Sequence, residues 1–167
     1  MFTTHDKPGL HALRKGRASL PHHVYLVTTV CHERRPHFMS AEQADPVDAL
    51  LHEHRLWRDS TALCWVLMPD HLHIVLRLGE GEPLSGLMNR IKSLTSRATA
   101  IPGSMPIWMR GFHDRALRRD EDLAAMIRYV SANPLRAGLV AAGEVYPYLG
   151  GAWIDGLESM EALGMEA

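Results

Sequence analysis

Apolar positions along the chain recur with two periods, and each period predicts a kind of element. Residues 24–32, VYLVTTVCH, are β-branched and aromatic and read as a strand. Behind Ser40, a suitable N-cap, Val47, Leu50, Leu51 and His54 recur at helical spacing, which predicts a helix from Ser40 to Ser60. CWVLM at 64–68 is a short, fully apolar run of the kind that forms a buried strand; Pro69-Asp70 supplies turn chemistry, so 71–78 runs back as the second arm of a hairpin. Leu84 to Ala100 is a basic amphipathic helix with Leu87, Ile91 and Leu94 on one side, broken by IPGSMP at 101–106. Residues 107–118 return to the sheet, and Asp120 caps a last helix that runs to about Ala132, where Asn133-Pro134 disfavours continuation. The order βαββαβ plus a helix predicts an α+β fold: a ferredoxin-like sandwich with an antiparallel sheet, helices on one face and a C-terminal helix bearing Tyr129.

Alternation on the strand at 71–78 separates two sets of side chains, because successive residues of a strand point to opposite faces. Leu72, Ile74, Leu76 and Leu78 share the face that packs on the helices, whereas His71, His73, Val75 and Arg77 share the opposite, less covered one. His71-Leu72-His73 can therefore present two imidazole nitrogens to one divalent ion. The same spacing equally suits two hydrogen-bonded structural histidines.

Composition adds limits. With 167 residues and 46% hydrophobic content the chain can bury one sizeable core, and one compact domain is expected at 21–140, between a basic segment at 1–20 and an acidic extension at 141–167. Cys31 and Cys64 are the only cysteines and form no C-x-x-C, which argues against a disulfide framework or a cysteine metal site. No apolar run approaches the roughly 20 residues that span a bilayer, so a soluble cytoplasmic protein with no membrane partner is expected. The net charge of −1 conceals an uneven distribution. From Met88 to Arg119, Arg90, Lys92, Arg97, Arg110, Arg115, Arg118 and Arg119 stand against Asp114 alone, and Arg14, Lys15 and Arg17 add a second basic stretch. Beyond Ala137 there are Glu144, Asp155, Glu158, Glu161 and Glu166 with no Lys or Arg. The basic residues make a candidate footprint for nucleic-acid phosphates. Trp108, Phe112 and His113 interleave with them and could stack on unpaired bases, or could pack in the core.

The last helix carries the remaining chemistry. Leu123, Met126, Ile127 and Val130 form one apolar stripe, and Tyr129 lies roughly 110° from its centre at about 100° per residue. Asn133 follows one turn later, about 40° round, so a phenol and an amide can point the same way. Tyr129 bordering the core and Asn133 closing the helix would satisfy the same spacing.

Taken together, VLMPDHLHIVLRL, IWMRGFHDRALRRDEDL and IRYVSANPLRAGLV, in this order and spacing, resemble the single-tyrosine HUH transposases of bacteria, most closely the REP-associated tyrosine transposases. The resemblance covers roughly residues 15 to 155 and extends to GRASLPHHVYLVTT and VYPYLGGAW. It implies that His71 and His73, with Asn133, hold a divalent metal ion, Mg²⁺ or Mn²⁺, the imidazoles favouring the softer of the two. It implies that Tyr129 is the nucleophile of a DNA cleavage and rejoining reaction on single-stranded or hairpin DNA, proceeding through a 5′-phosphotyrosine. Tyr25, in the first strand, is expected to be half-buried, and Tyr146 and Tyr148 to lie in an acidic tail that repels phosphate. A hairpin-binding protein with an idle site, and a metal-dependent hydrolase of small phosphoesters, are the rival readings. No oligomeric state beyond monomer or homodimer follows.

Overall fold

The computed structural model describes residues 19–99, 106–118 and 121–156. Arg14, Lys15, Arg17, Arg119 and Asp120 therefore lie outside the described residues. Five antiparallel strands form one sheet: β1 (Val24–Val30), β2 (Thr61–Met68), β3 (His71–Arg77), β4 (His113–Ala116) and β5 (Leu149–Gly150), in the order β4-β1-β3-β2-β5. The first four have the arrangement that two βαβ units sharing a sheet must adopt, and the α+β, ferredoxin-like expectation holds.

Helices α1 (Ala41–His52) and α3 (Leu84–Ala98) cover one face. There Val27, Leu72, Ile74 and Leu76 of the sheet meet Val47, Leu51, Leu87, Met88 and Ile91 in the larger core. The expected helix from 40 to 60 is interrupted: α1 ends at His52, Glu53 is extended (φ −74°, ψ 115°), and a single turn, α2 (His54–Trp57), follows before Arg58 at φ 54°.

Helix α4 (Leu123–Ser131) packs on the other face, where Met126, Ile127 and Val130 meet Val66, Met68 and Val75 in a second, smaller core. Both faces of β2 are thus covered, which explains why its sequence does not alternate. The cap of α4 is Asp122, whose carboxylate accepts from Ala124 N at 2.8 Å. The helix stops before Asn133-Pro134, and one further turn, α5 (Asn133–Arg136), begins there with Pro134 in its first turn, the one interior place where a missing N–H costs nothing.

The start of the acidic extension is continuous with the fold. β5 pairs with β2, and Tyr146, Leu149 and Ile154 pack against the smaller core. Residue 150 must be glycine, since a Cβ there would stand 2.5 Å from the Trp65 ring.

Candidate active site

β3 carries His71 and His73 on the α4 side of the sheet, their rings edge to face with centroids 4.6 Å apart. Each ring is held through Nδ1. His71 Nδ1 donates to the Asp70 carboxylate at 2.5 Å, and His73 Nδ1 is hydrogen-bonded to Thr28 Oγ1, its cross-strand neighbour, at 2.8 Å. The Asp70 carboxylate can only accept, so His71 Nδ1 carries the proton and Nε2 keeps its lone pair for a ligand; where the Thr28 hydroxyl accepts from His73 Nδ1, that ring does the same, the arrangement that orients metal-binding histidines. The turn supplying Asp70 is pinned from below: Cys31 N donates to Asp70 O at 2.8 Å and Phe38 N to Pro69 O at 3.0 Å. Burial pushes the Asp70 carboxyl up, but the bonds and charges of His71 and Arg34 outweigh it and hold the group below its ordinary value. Burial first, then the charges of His71 and Arg136, bring His73 down to about 4 against a weaker pull from Asp70. His73 is therefore neutral at neutral pH, the form that binds metal.

Among the described residues no group of three or more His, Cys, Asp or Glu side chains is assembled to hold a metal. The donor set is two imidazoles; Asn133 is tied to Arg136, whose charge reaches His73. Asn133 Oδ1 accepts from Arg136 Nη2, and its buried Nδ2 has no partner. Two fixed nitrogen donors with the remaining positions left to water or phosphate oxygens fit a divalent ion that also contacts a substrate phosphate.

Tyr129 is 62% exposed, on the border of the α4 stripe where the helical arithmetic puts it. Its hydroxyl has no hydrogen-bond partner among the described residues. The other three tyrosines are engaged. Tyr25 is 5% exposed, more buried than expected, and its hydroxyl accepts from Leu20 N at 2.7 Å. Tyr146 donates to Leu67 O at 2.8 Å, and burial raises its pKa to about 12. Tyr148 donates to Asp45 Oδ1 at 3.0 Å, its pKa raised by burial and by that carboxylate. The two tail tyrosines are thus withdrawn by packing and hydrogen bonding. Cys31 and Cys64, buried and pushed up to about 12, offer no alternative nucleophile.

Sequence reasoning missed Arg136. Its guanidinium carbon lies 4.3 Å from the centre of the Tyr129 ring, and Nη2 donates to Tyr129 O at 2.9 Å as well as to Asn133 Oδ1. The i, i+3 spacing from Asn133 was the available signal.

The basic residues divide into two groups. Arg90 is largely enclosed, pairing with Glu82 and donating to Leu56 O at 3.0 Å, so it does not meet the expectation of a DNA contact. Lys92 ties the 109–111 loop to α3 through Met109 O at 2.5 Å and Gly111 O at 2.9 Å. Arg115 is paired with Glu121. Arg97, Arg110 and Arg118 are exposed. Trp108 and Phe112 belong to the larger core, Trp108 Nε1 donating to Thr95 Oγ1 at 2.9 Å, so neither offers a face to a base; His113 is exposed on β4. Tyr129 borders a groove of about 530 Å³ lined also by Leu26, Leu117 and Met126 and by the charged Arg115, Glu121 and Asp122.

Residues 19–117, more than half of the chain, match the family model for IS200-like transposases. The matched segment contains both histidines and ends before α4. An 84-residue stretch is 27% identical to the REP-associated tyrosine transposase of Escherichia coli K12, covering 50% of each protein, so the chain spans about half the length of that curated relative. In three dimensions the chain is similar, with a TM-score of 0.66 and 20% identity over 90% of its length and 86% of the other, to a REP-associated tyrosine transposase solved bound to a REP hairpin. Among the described residues no helix is long and apolar enough to cross a membrane. The strand-borne histidine pair and the family match agree: this chain belongs to the IS200-like transposases.

Proposed function

We propose that the chain is a metal-dependent endonuclease and strand transferase for single-stranded, hairpin-forming DNA of the REP type, working through a 5′-phosphotyrosine. One observation carries the reading: of four tyrosines, Tyr129 alone has an exposed, unengaged hydroxyl, and it is borne by the helix packed on the sheet face that presents His71 and His73. The hairpin-bound relative supports the choice of DNA.

In this reading His71, His73 and, after turning its amide away from Arg136, Asn133 hold Mg²⁺ or Mn²⁺. Such an ion, when bound, neutralises charge on the scissile phosphate as the reaction proceeds. Asp70 keeps His71 in the tautomer that ligates through Nε2, and Thr28, accepting from Nδ1, orients His73 the same way. The Tyr129 oxygen attacks phosphorus in line with the 3′ oxygen; the phenol proton goes to solvent, the bond from phosphorus to the 3′ oxygen breaks, and that oxygen takes up a proton. A phosphotyrosine ester joined to the 5′ end remains, with a free 3′ hydroxyl. Attack by a second 3′ hydroxyl reverses the step, so strands rejoin with no external energy source.

The rival reading, a hairpin-binding protein with an idle site, draws on Asn133, whose oxygen faces Arg136. Incubation with end-labelled hairpins and Mn²⁺ or Mg²⁺ separates the two. A detergent-stable protein–DNA adduct carrying the strand 3′ of the cut supports cleavage; tight hairpin binding without any adduct supports the idle site.

A further inference from the structure

We infer that Arg136 forms a phosphate-binding site over Tyr129, presenting its free guanidinium edge to a non-bridging oxygen of the phosphodiester that the tyrosine attacks. The inference rests on the function proposed above and adds to it a residue that neither the histidine pair nor the family match, which ends at residue 117, supplies.

Three features of the site support this. The guanidinium lies against the Tyr129 ring, 4.3 Å from its centre, so the ring is fixed by a cation on one face, although 62% of the residue is exposed. Among the described residues both hydrogen bonds of the guanidinium leave from Nη2, to Tyr129 O and Asn133 Oδ1. Nε and Nη1 have no partner among the described residues, and Arg136 makes no ion pair with any described carboxylate. A planar fork with one edge anchored and the other open is the geometry that receives phosphate oxygens in a fixed orientation.

A rival explanation is that Arg136 only caps the C-terminal end of α4, since it donates to the Tyr129 carbonyl there. Capping would require neither the position over the ring nor the second anchor through Asn133. When Asn133 turns to the metal, the bond to Tyr129 O and the contact with the ring still hold the guanidinium in place.

The test compares wild type, Arg136→Gln and Arg136→Lys on a cleavable hairpin and on the same hairpin with one neutral methylphosphonate at the scissile position. If Arg136 neutralises that phosphate, adduct formation by Arg136→Gln falls about 10²- to 10³-fold on the phosphodiester, the usual cost of one lost charge-stabilising donor. The deficit shrinks to within about tenfold on the methylphosphonate, where no negative charge remains to be met. Arg136→Lys lies between, keeping charge without the fork. Equal losses on both substrates, or a loss that tracks a lowered melting temperature, would make Arg136 a helix cap and overturn the inference. Variants as fast as wild type would also overturn it while leaving the proposed function intact. If wild type forms no adduct, the proposed function fails and binding decides the inference. Wild type must then bind the phosphodiester hairpin more tightly than the methylphosphonate one, with Arg136→Gln blind to the difference. Wild type that is itself blind overturns it.

Discussion

On β3, Leu72, Ile74 and Leu76 point toward α1 and α3 and are sealed from solvent, while His71 and His73 point toward α4 and keep polar partners. The helix face is closed by long side chains from two helices, and its role is burial. The α4 face is covered by a shorter helix, whose stripe packs in a smaller core with Leu63, Cys64, Val66, Met68 and Val75. At its margin remain two oriented imidazoles, an exposed phenol and an anchored guanidinium. One strand thus gives every second residue to the larger core, while its other face gives Val75 to the smaller core and, in the proposed function, His71 and His73 to the metal. Substitutions one residue apart should therefore fail in different ways.

The largest effect belongs to Tyr129→Phe, which keeps the ring and removes the oxygen. Adduct formation should fall to background on a gel, with the melting temperature and hairpin affinity held at wild-type values. His73→Ala, or removal of divalent ions by chelation, should likewise abolish cleavage while binding in a filter or polarisation assay persists. The variant loses the Thr28 hydrogen bond, about 1 kcal/mol of stability. Ile74→Ala, the next residue, should reverse the pattern, costing about 2–5 kcal/mol in denaturant melts through the cavity it leaves, with the specific activity of the folded fraction preserved. If His73→Ala and Ile74→Ala instead lose activity and stability together, the division of labour along β3 is wrong.

Smaller effects concern the basic residues. Arg97→Ala and Arg118→Ala should each lower the slope of log affinity against log salt by roughly 0.7 if each meets one phosphate of a single strand. Arg90→Ala should leave that slope alone and lower stability, because its guanidinium is spent on Glu82 and Leu56 O.

What could be read from the sequence was whatever depends on neighbours in sequence. The period of two put His71 and His73 on one face, and the stripe arithmetic left Tyr129 at its border. The cation list could not be sorted in the same way: Arg90 and Lys92 look like Arg97 until Glu82 and the 109–111 loop come into contact with them, and those partners are tertiary. Trp108 and Phe112 proved to be core for the same reason. The arrival of α4 on the histidine face was equally hidden, since periodicity gives a helix its apolar side without saying which side of the sheet it meets. Arg136 escaped because helical angles cannot be carried across the break at Asn133-Pro134, so its return over the Tyr129 ring follows from the turn that Pro134 starts.

Locating the covalent attachment decides whether Tyr129 is the nucleophile. Wild-type protein is trapped with a cleavable hairpin and metal, digested with nuclease and protease, and the peptide that retains a nucleotide is sequenced by mass spectrometry. The expected result is a 5′-linked nucleotide on Tyr129 and on no other residue. A nucleotide on Tyr25, Tyr146 or Tyr148, or hairpins cleaved with no modified peptide, would contradict it.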